Sequence, residues 1–196
     1  AELTRQAVEI AMRVRDEERP DALVLGSVAP LEDCYRPDLS PAHSDAEACH
    51  REHAELARVL ADAGCDLLLC ETLSLGREAV VAAEVSLESG CEVWLSWSLQ
   101  GNRPGLLPSG ETIEEAFAQA AHLPVQAHLV NCCAANLITD AIPRLAQLTD
   151  GPVGGYANAV DALPGPFDPL DPESIDSRPL DPVAYADAVQ AWIACG

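Results

Sequence analysis

Five apolar segments alternate with amphipathic helical patterns along the chain. The segments begin near residues 22, 66, 92, 125 and 153, and their apolar residues are continuous rather than alternating. Strands of this kind are buried on both faces, which is typical of parallel sheets covered by helices. The pattern therefore predicts an α/β protein in which helices connect successive parallel strands.

Capping signals mark where several helices begin and end. Ser44 and Glu47 have the spacing of a capping box, as do Thr112 and Glu115, and Gly64 follows the helix that Ser44 would open. The chain starts inside another helical pattern. Its regularly spaced apolar residues are Leu3, Ala7, Ile10, Ala11 and Val14.

The last third of the chain has a less regular pattern. The pattern over residues 139–148 predicts a helix, and Pro143 is compatible with that helix only if it lies in the first turn. A loop rich in Pro and Asp is expected over residues 160–180. Asp181 and Pro182 then predict a helix start, with Asp as the cap and Pro at the first helical position. The buried stripe expected on this helix is Tyr185, Ala188, Val189 and Trp192.

Both a doubly wound sheet and a (β/α)8 barrel fit this alternation. No Gly-x-Gly-x-x-Gly motif follows the first strand, which weakens the dinucleotide-binding version of the doubly wound sheet. Unusual residues instead cluster where strands end: Gly26-Ser27, Glu71-Thr72, Trp97-Ser98, Asn131-Cys132 and Tyr156 to Asn158. In a barrel those ends converge on one mouth. We therefore predict a TIM-barrel-type α/β fold, in which helices cover a ring of parallel strands.

Composition and charge exclude several classes of function. The net charge of −21 argues against a nucleic-acid partner, because such binding depends on Lys and Arg, and a GC-rich or salt-adapted source explains the charge more simply. The sequence contains no lysine, which excludes Schiff-base aldolases, pyridoxal-phosphate enzymes and Walker-type phosphate loops. No apolar run of roughly 18 residues predicts a membrane span, so no membrane partner is expected. The 8 cysteines are sparse for a disulfide-stapled scaffold, so we expect a reduced, cytoplasmic protein.

A pair of thiols follows the fourth apolar segment. Cys132 comes directly after Asn131, at the expected mouth, where a thiol suggests a nucleophile or a soft-metal ligand. The alternative is a packed core cysteine, since Cys in a reduced protein behaves as a small hydrophobe. His128 lies four residues earlier and would face the same side by strand alternation, but it lacks the spacing of a nucleophile and its base.

Glu71 is the second candidate for chemistry. A carboxylate directly after an apolar strand is costly to bury, so it meets solvent or pairs with a cation, and a substrate ammonium group would suit it. The alternative is a carboxylate stabilised by the dipole of the next helix. His50 and His53 lie three apart on a helix, where we expect a solvated or half-buried face rather than a pair of ligands.

Three motifs stand in order on successive predicted strands: LVLGSVAPLEDCYRP, AGCDLLLCETLSLGREAV and LVNCCA. In this combination the chain resembles the homocysteine S-methyltransferase family, which includes the betaine-dependent enzymes and the homocysteine-binding module of cobalamin-dependent methionine synthase. The resemblance covers essentially the whole chain. It implies a (β/α)8 barrel that acts on small-molecule substrates, transferring a methyl group from a sulfonium, betaine or similar donor to homocysteine to give methionine.

The resemblance also implies a zinc ion (Zn2+) bound by three cysteines. Asn131-Cys132 matches the first ligand motif, so Cys132 would be a zinc ligand, and Cys133 has no assigned role. Zinc would deprotonate the substrate thiol and present it as a thiolate to the methyl donor. The other two ligands of the family are an adjacent pair after its last strand, and Cys195 lies before that point. By this resemblance residues 1–196 would be a single partial domain, an incomplete TIM-barrel-type fold with about five parallel strands. We therefore expect a fragment that lacks the first two strands and the last strand of the barrel, and that does not hold zinc by itself.

Four residues would contact substrate by the same resemblance. Glu71 and Thr72 match the pair that contacts the amino-acid end of homocysteine. Tyr35 matches an aromatic residue of the substrate and donor region, and Asn158 matches a strand end near the active site. Two alternatives stay open. One is a truncated remnant without catalysis, which binds a small amino acid weakly or serves only as an assembly piece. The other is a different barrel enzyme in which Cys132 belongs to the core.

Overall fold

The computed structural model describes residues 1–163 and 177–195 of the chain. Its helices are α1 (Glu2–Glu18), α2 (Pro41–Ser44), α3 (Ala46–Asp62), α4 (Gly76–Glu88), α5 (Ile113–Ala120), α6 (Ala135–Leu145) and α7 (Pro182–Cys195). Its strands are β1 (Leu25–Val28), β2 (Leu67–Leu73), β3 (Val93–Trp97), β4 (Ala127–Ala134), β5 (Val153–Asn158), β6 (Val160–Ala162) and β7 (Ser177–Pro179). Among the described residues, no helix combines the length and the apolar character needed to cross a bilayer.

Strands β1 to β5 form one parallel sheet in the order in which they occur along the chain. A doubly wound sheet reverses the direction of strand addition at a switch point, whereas a barrel adds each strand beside the previous one. Helices α3 to α6 contact one another in sequence, as one layer does. The predicted fold class is therefore confirmed: this is an α/β arc of the barrel type with five parallel strands.

The sheet is curved, so that side chains from non-adjacent strands meet on its concave face. The hydroxyl of Tyr156 in β5 donates a hydrogen bond of 2.5 Å to Glu71 in β2. Strands three places apart in a flat sheet lie about 14 Å from each other, farther than a tyrosine side chain can reach. Curvature therefore brings the carboxyl ends of these strands toward a common mouth.

The convex face of the sheet packs against the helices and forms the core. Trp97 is fully buried and stacks on His128 of the neighbouring strand, with ring centroids 5.5 Å apart. Phe117 of α5 lies against the same imidazole at 4.7 Å. Burial in this apolar cluster lowers the pKa of His128 to about 4. His128 is thus a neutral core residue and cannot serve Cys132 as a base.

The helix ends follow the predicted capping signals with one exception. Thr112 and Glu115 form a reciprocal capping box, and the carboxylate of Asp181 accepts hydrogen bonds from two backbone amides of α7. The prediction for Ser44 is wrong. Ser44 ends the short helix α2, and Asp45 caps α3 instead.

Helix α1 is present as predicted, but the apolar stripe predicted to be buried, which includes Leu3, Ile10 and Val14, is exposed. Val8 is buried and Met12 packs beside it, while the opposite side of the helix is exposed. That exposed side carries Leu3, Ile10 and Val14. Arg15, on the same side as Val8, pairs with Asp66 at 3.0 Å. This ion pair and the burial of Val8 together set the rotation of the helix.

Helix α6 begins earlier than predicted. It starts at Ala135, directly after β4, so Pro143 lies near its C-terminal end rather than in its first turn. A proline inside a helix costs about 3 kcal/mol. The early start buries Leu137 and Ile138, and each such side chain contributes about 1.5–3 kcal/mol. Burial in the core therefore outweighs the local cost of the proline.

The segment predicted as a loop over residues 160–180 includes two short strands. β6 pairs antiparallel with β7, and Asp161 of one strand binds Arg178 of the other at 2.6 Å. The rest of the predicted loop, residues 164–176, lies outside the described residues.

The low pKa of His128 predicts a specific dependence of stability on pH. Unfolded histidine titrates near about 6.5, so between pH 4 and 6.5 the unfolded state binds more protons than the folded state. The contribution of neutral His128 to the free energy of unfolding is therefore fully present above pH 6.5. It decreases by up to about 3 kcal/mol as the pH falls toward 4. In urea titrations at several pH values, the stability advantage of the wild type over His128→Gln should shrink as the pH falls. The side chain of His122 is 61% exposed, so His122→Gln supplies the control for loss of a histidine outside the core. A constant difference between wild type and His128→Gln would contradict the prediction.

Candidate active site

The carboxylate of Glu71 is held on the concave face by two hydroxyl groups. Ser27 of β1 donates to its Oε1 and Tyr156 of β5 donates to its Oε2, each at 2.5 Å. Glu71 does not support the following helix, because the amide of Gly76 at the start of α4 donates to Glu111 instead. The alternative interpretation of Glu71 as a helix-dipole partner therefore has no support in the contacts.

Asn131 connects the ends of three strands through its side-chain amide. Its Oδ1 accepts from the backbone amide of Thr72 at 2.9 Å and from the hydroxyl of Ser96 at 2.6 Å. Its Nδ2 donates to the hydroxyl of Thr72 at 2.8 Å. Only 2% of Asn131 is exposed, so these bonds form away from solvent and fix β2, β3 and β4 relative to one another.

Thr72 and Cys132 both adopt left-handed backbone conformations, with φ of 61° and 53°. Each lies where the strand register shifts, between Cys70 and Leu73 in β2 and between Asn131 and Ala134 in β4. Non-glycine residues rarely adopt such angles, and those that do cluster at functional sites. The shift in β4 also breaks the simple alternation that placed Cys132 on the same side as His128.

The thiol of Cys132 is half-buried and lies beside the phenol of Tyr35. The Tyr35 hydroxyl is 3.2 Å from the Cys132 carbonyl oxygen, to which it donates, and 3.6 Å from the Cys132 sulfur. Ser98 donates to the same carbonyl at 3.4 Å. Burial, followed by contact with Cys132, raises the pKa of the Tyr35 phenol. The phenol therefore stays protonated and available as a donor at neutral pH.

A cavity of about 450 Å³ opens beside this thiol. Tyr35, Cys132 and Asn158 all line it, together with the backbone turn at Gly101. Glu71 and Thr72 do not line this cavity. Thr72 is hydrogen-bonded to Asn131, which directly precedes Cys132, and Glu71 is hydrogen-bonded to Tyr156, in the strand that carries Asn158. The fold thus gathers the five residues singled out from the sequence, Tyr35, Glu71, Thr72, Cys132 and Asn158, at one edge of the sheet.

Cys133 differs from its neighbour in its surroundings. It belongs to the hydrophobic core, and burial raises the pKa of its thiol to about 12. It therefore stays protonated at neutral pH, as expected for a residue that contributes to packing.

Three supporting residues were not assigned roles from the sequence. Ser27 and Tyr156 hold Glu71, and Ser96 holds Asn131. Tyr156 is two residues before Asn158, so strand alternation would have placed both on one face. Ser27 and Ser96 carry no comparable signal, because a serine within an apolar strand is compatible with many environments.

A comparison with protein families matches residues 1–196 to the homocysteine S-methyltransferase model. The chain belongs to the homocysteine S-methyltransferase family. The homocysteine S-methyltransferase of Escherichia coli (strain K12) is 34% identical over 171 residues, covering 80% of this chain and 54% of that protein. Homocysteine S-methyltransferase 4 of Zea mays is 32% identical over 179 residues, covering 81% and 51%. The chain therefore spans about half the length of these curated relatives.

Solved structures of the family share the fold. The metallated form of the homocysteine methyltransferase MmuM from Escherichia coli has a TM-score of 0.70 at 32% identity, covering 80% of this chain and 58% of that one. The oxidized form has a TM-score of 0.76 at 29% identity, covering 99% and 63%. Membership of the homocysteine S-methyltransferase family excludes the alternative of an unrelated barrel enzyme.

Within residues 1–163 and 177–195, Cys132 is not part of any group of three potential metal ligands, so the zinc site that the family resemblance implies is not complete there. Among the described residues, one group of three potential ligands lies close enough to share an ion, and it consists of Cys49, His53 and Glu78. Cys132 is not part of that group. One thiol cannot hold a catalytic zinc, which takes three protein ligands.

We predict that Asn131 is required to hold the strand ends together. Asn131→Ala would leave the Thr72 amide and the Ser96 hydroxyl without their acceptor, so we expect unfolding free energy to fall by about 2–4 kcal/mol. Hydrogen exchange at the Thr72 amide should accelerate with it. Ser96→Ala removes the Ser96 donor but leaves the bonds between Asn131 and Thr72, so it should cost about 1 kcal/mol and leave exchange at the Thr72 amide unchanged. If the Thr72 amide exchanges as slowly in Asn131→Ala as in the wild type, the side chain of Asn131 does not hold the strand ends together.

Proposed function

We propose that this chain contributes the homocysteine-binding part of a methyltransferase that converts homocysteine to methionine with a sulfonium or ammonium methyl donor. The observation that carries the proposal is that the carboxylate of Glu71 and the half-buried thiol of Cys132 both lie where strands end, at the concave edge of the sheet. Tyr156 is close to both: burial first, then Glu71 and, more weakly, Cys132 raise the pKa of its phenol.

Glu71 is the group proposed to bind the ammonium end of homocysteine. Its two oxygens already accept from Ser27 and Tyr156, which fixes their orientation. A carboxylate oxygen has a second lone pair, so each can also accept from an ammonium group at the mouth. Thr72 and Asn158 are proposed to contact the same end of the substrate, and Tyr35 the region where sulfur and donor meet.

The reaction requires the substrate sulfur in its thiolate form. The thiolate attacks the methyl carbon of the donor, a carbon–sulfur bond forms, and the bond from the methyl group to the donor sulfur or nitrogen breaks. The leaving group departs neutral with the electron pair, and the thiol proton is lost to solvent. The positive charge of the donor is thereby neutralised, which favours a water-poor site.

A zinc ion would ionise the substrate thiol when bound, with Cys132 as one of its thiolate ligands. Among the described residues, no group of three potential ligands includes Cys132, so none of the steps above is assigned to the metal. The roles proposed for Glu71, Tyr35 and Asn158 concern binding and orientation alone.

A first prediction concerns Cys132 in the full-length gene product. Cys132→Ser should reduce methionine formation from homocysteine at least roughly hundredfold, equivalent to about 3 kcal/mol of transition-state stabilisation. S-methylmethionine, S-adenosylmethionine and betaine serve as donors, with product measured by mass spectrometry. Cys195 is exposed on α7, so Cys195→Ser should retain the wild-type rate. Full activity in Cys132→Ser would refute the assignment.

A second prediction separates binding by Glu71 from a structural role. Glu71→Gln should raise KM for homocysteine at least tenfold or so, because a charged hydrogen bond to the ammonium group is lost. A thiol of the same length without the amino group, 4-mercaptobutyrate, should react equally with both enzymes. A similar loss with both thiols would mean that Glu71 acts on structure rather than on the ammonium group.

A further inference from the structure

A buried cluster of metal-ligating side chains lies between α3 and α4, outside the set of residues at the sheet edge. Cys49 and His53 are one turn apart on α3, and Glu78 lies in the first turn of α4. Cys49 and His53 are fully buried and Glu78 is 2% exposed. One donor atom from each lies within 4.8 Å of the others. The expectation that His53 would be solvated or half-buried is therefore wrong, whereas His50 is exposed.

The imidazole of His53 is only partly satisfied by the protein. Its Nε2 lies 3.3 Å from Oε1 of Glu78, while its Nδ1 has no hydrogen-bond partner in the described chain. Charge-assisted hydrogen bonds between nitrogen and a carboxylate are usually about 2.7–2.9 Å long. The observed contact is long for a pair enclosed this completely.

The same separation suits two ligands of one tetrahedral ion. Zinc binds nitrogen and oxygen at about 2.0–2.1 Å, which places two such ligands about 3.3 Å apart. A thiolate, a carboxylate and a neutral imidazole around a divalent cation sum to zero charge, so the loaded cluster would carry no net charge into the interior. The sulfur and nitrogen donors favour zinc over calcium or magnesium, which prefer sets of oxygen ligands.

We infer that Cys49, His53 and Glu78 form a zinc site that is distinct from the site at Cys132. Three side chains leave one position of the tetrahedron for a water molecule or the second oxygen of Glu78. The inference does not depend on the proposed methyl transfer, because it concerns other residues.

The position of this site indicates a structural role for the ion. Glu78 accepts from the Leu31 amide at 3.0 Å and from the Ser40 hydroxyl at 2.6 Å, on either side of Tyr35. Tyr35 in turn reaches Cys132. A cation on Glu78 would therefore stiffen the segment that carries Tyr35 to the mouth.

The test is metal binding to the purified, reduced chain after removal of metal by a chelator. Zinc added to the wild type should be retained at about one ion per chain, and cobalt(II) should give thiolate charge-transfer and four-coordinate visible bands. Cys132→Ser should keep both signals. Cys49→Ser and His53→Gln should lose them, while Cys65→Ser, which alters another buried cysteine, should not.

Two measurements keep the inference decidable if a cluster variant fails to fold. X-ray absorption of the zinc-loaded wild type should show one sulfur ligand with nitrogen or oxygen ligands, and zinc should raise the melting temperature of Cys132→Ser as much as that of the wild type. Retention of no zinc by the wild type, a sulfur-rich ligand shell, or loss of zinc in Cys132→Ser alone would each overturn the inference. The last two outcomes would instead place the metal at the family's thiolate site.

Discussion

One buried amide holds the carboxyl edge of this sheet together. Asn131 binds Thr72 in β2 and Ser96 in β3 from its position in β4, at the point where β2 and β4 both leave regular register. The backbone hydrogen bonds of a parallel sheet join each strand only to its immediate neighbours. The amide adds a link across β3, and with the curvature it turns three separate strand ends into one surface. The contacts of Tyr156 with Glu71 and of Tyr35 with Cys132 lie at the same edge.

The charge of the chain is organised differently in its interior and on its surface. The net charge is −21, yet the buried carboxylate of Glu78 and the half-buried carboxylate of Glu111 have specific donors. Burial opposes ionisation of Glu78, but hydrogen bonds from His53, Ser40 and the Leu31 amide outweigh it and lower the pKa. Glu111 follows the same logic: burial is outweighed by bonds that include the Gly76 amide, and its pKa is lowered. These two carboxylates therefore hold the segments that connect strands and helices, whereas most of the other acidic side chains are exposed to solvent.

The sequence was most informative where local chemistry and tertiary environment agree. Continuous apolar runs predicted all five parallel strands, and the Thr112 box and the Asp181 cap marked two helix starts. Predictions from the sequence were wrong where the tertiary environment outweighed the local conformational preference. In helix α1 the side that carries Leu3, Ile10 and Val14 faces solvent, because Val8 packs in the core and Arg15 pairs with Asp66 on the opposite side. Helix α6 accepts a proline because an earlier start buries more apolar surface.

The sequence by itself determined the strand–helix order, the family, and the residue types available at each strand end. Those properties follow from hydrophobic period and from short motifs, which are local along the chain. Only the tertiary structure decided which of those residues meet. Tyr156 reaches Glu71 through sheet curvature, Tyr35 reaches Cys132 through a loop anchored on Glu78, and His53 meets Glu78 across two helices. Such contacts join residues far apart in sequence, and they depend on register, backbone shifts and helix rotation that no local pattern encodes.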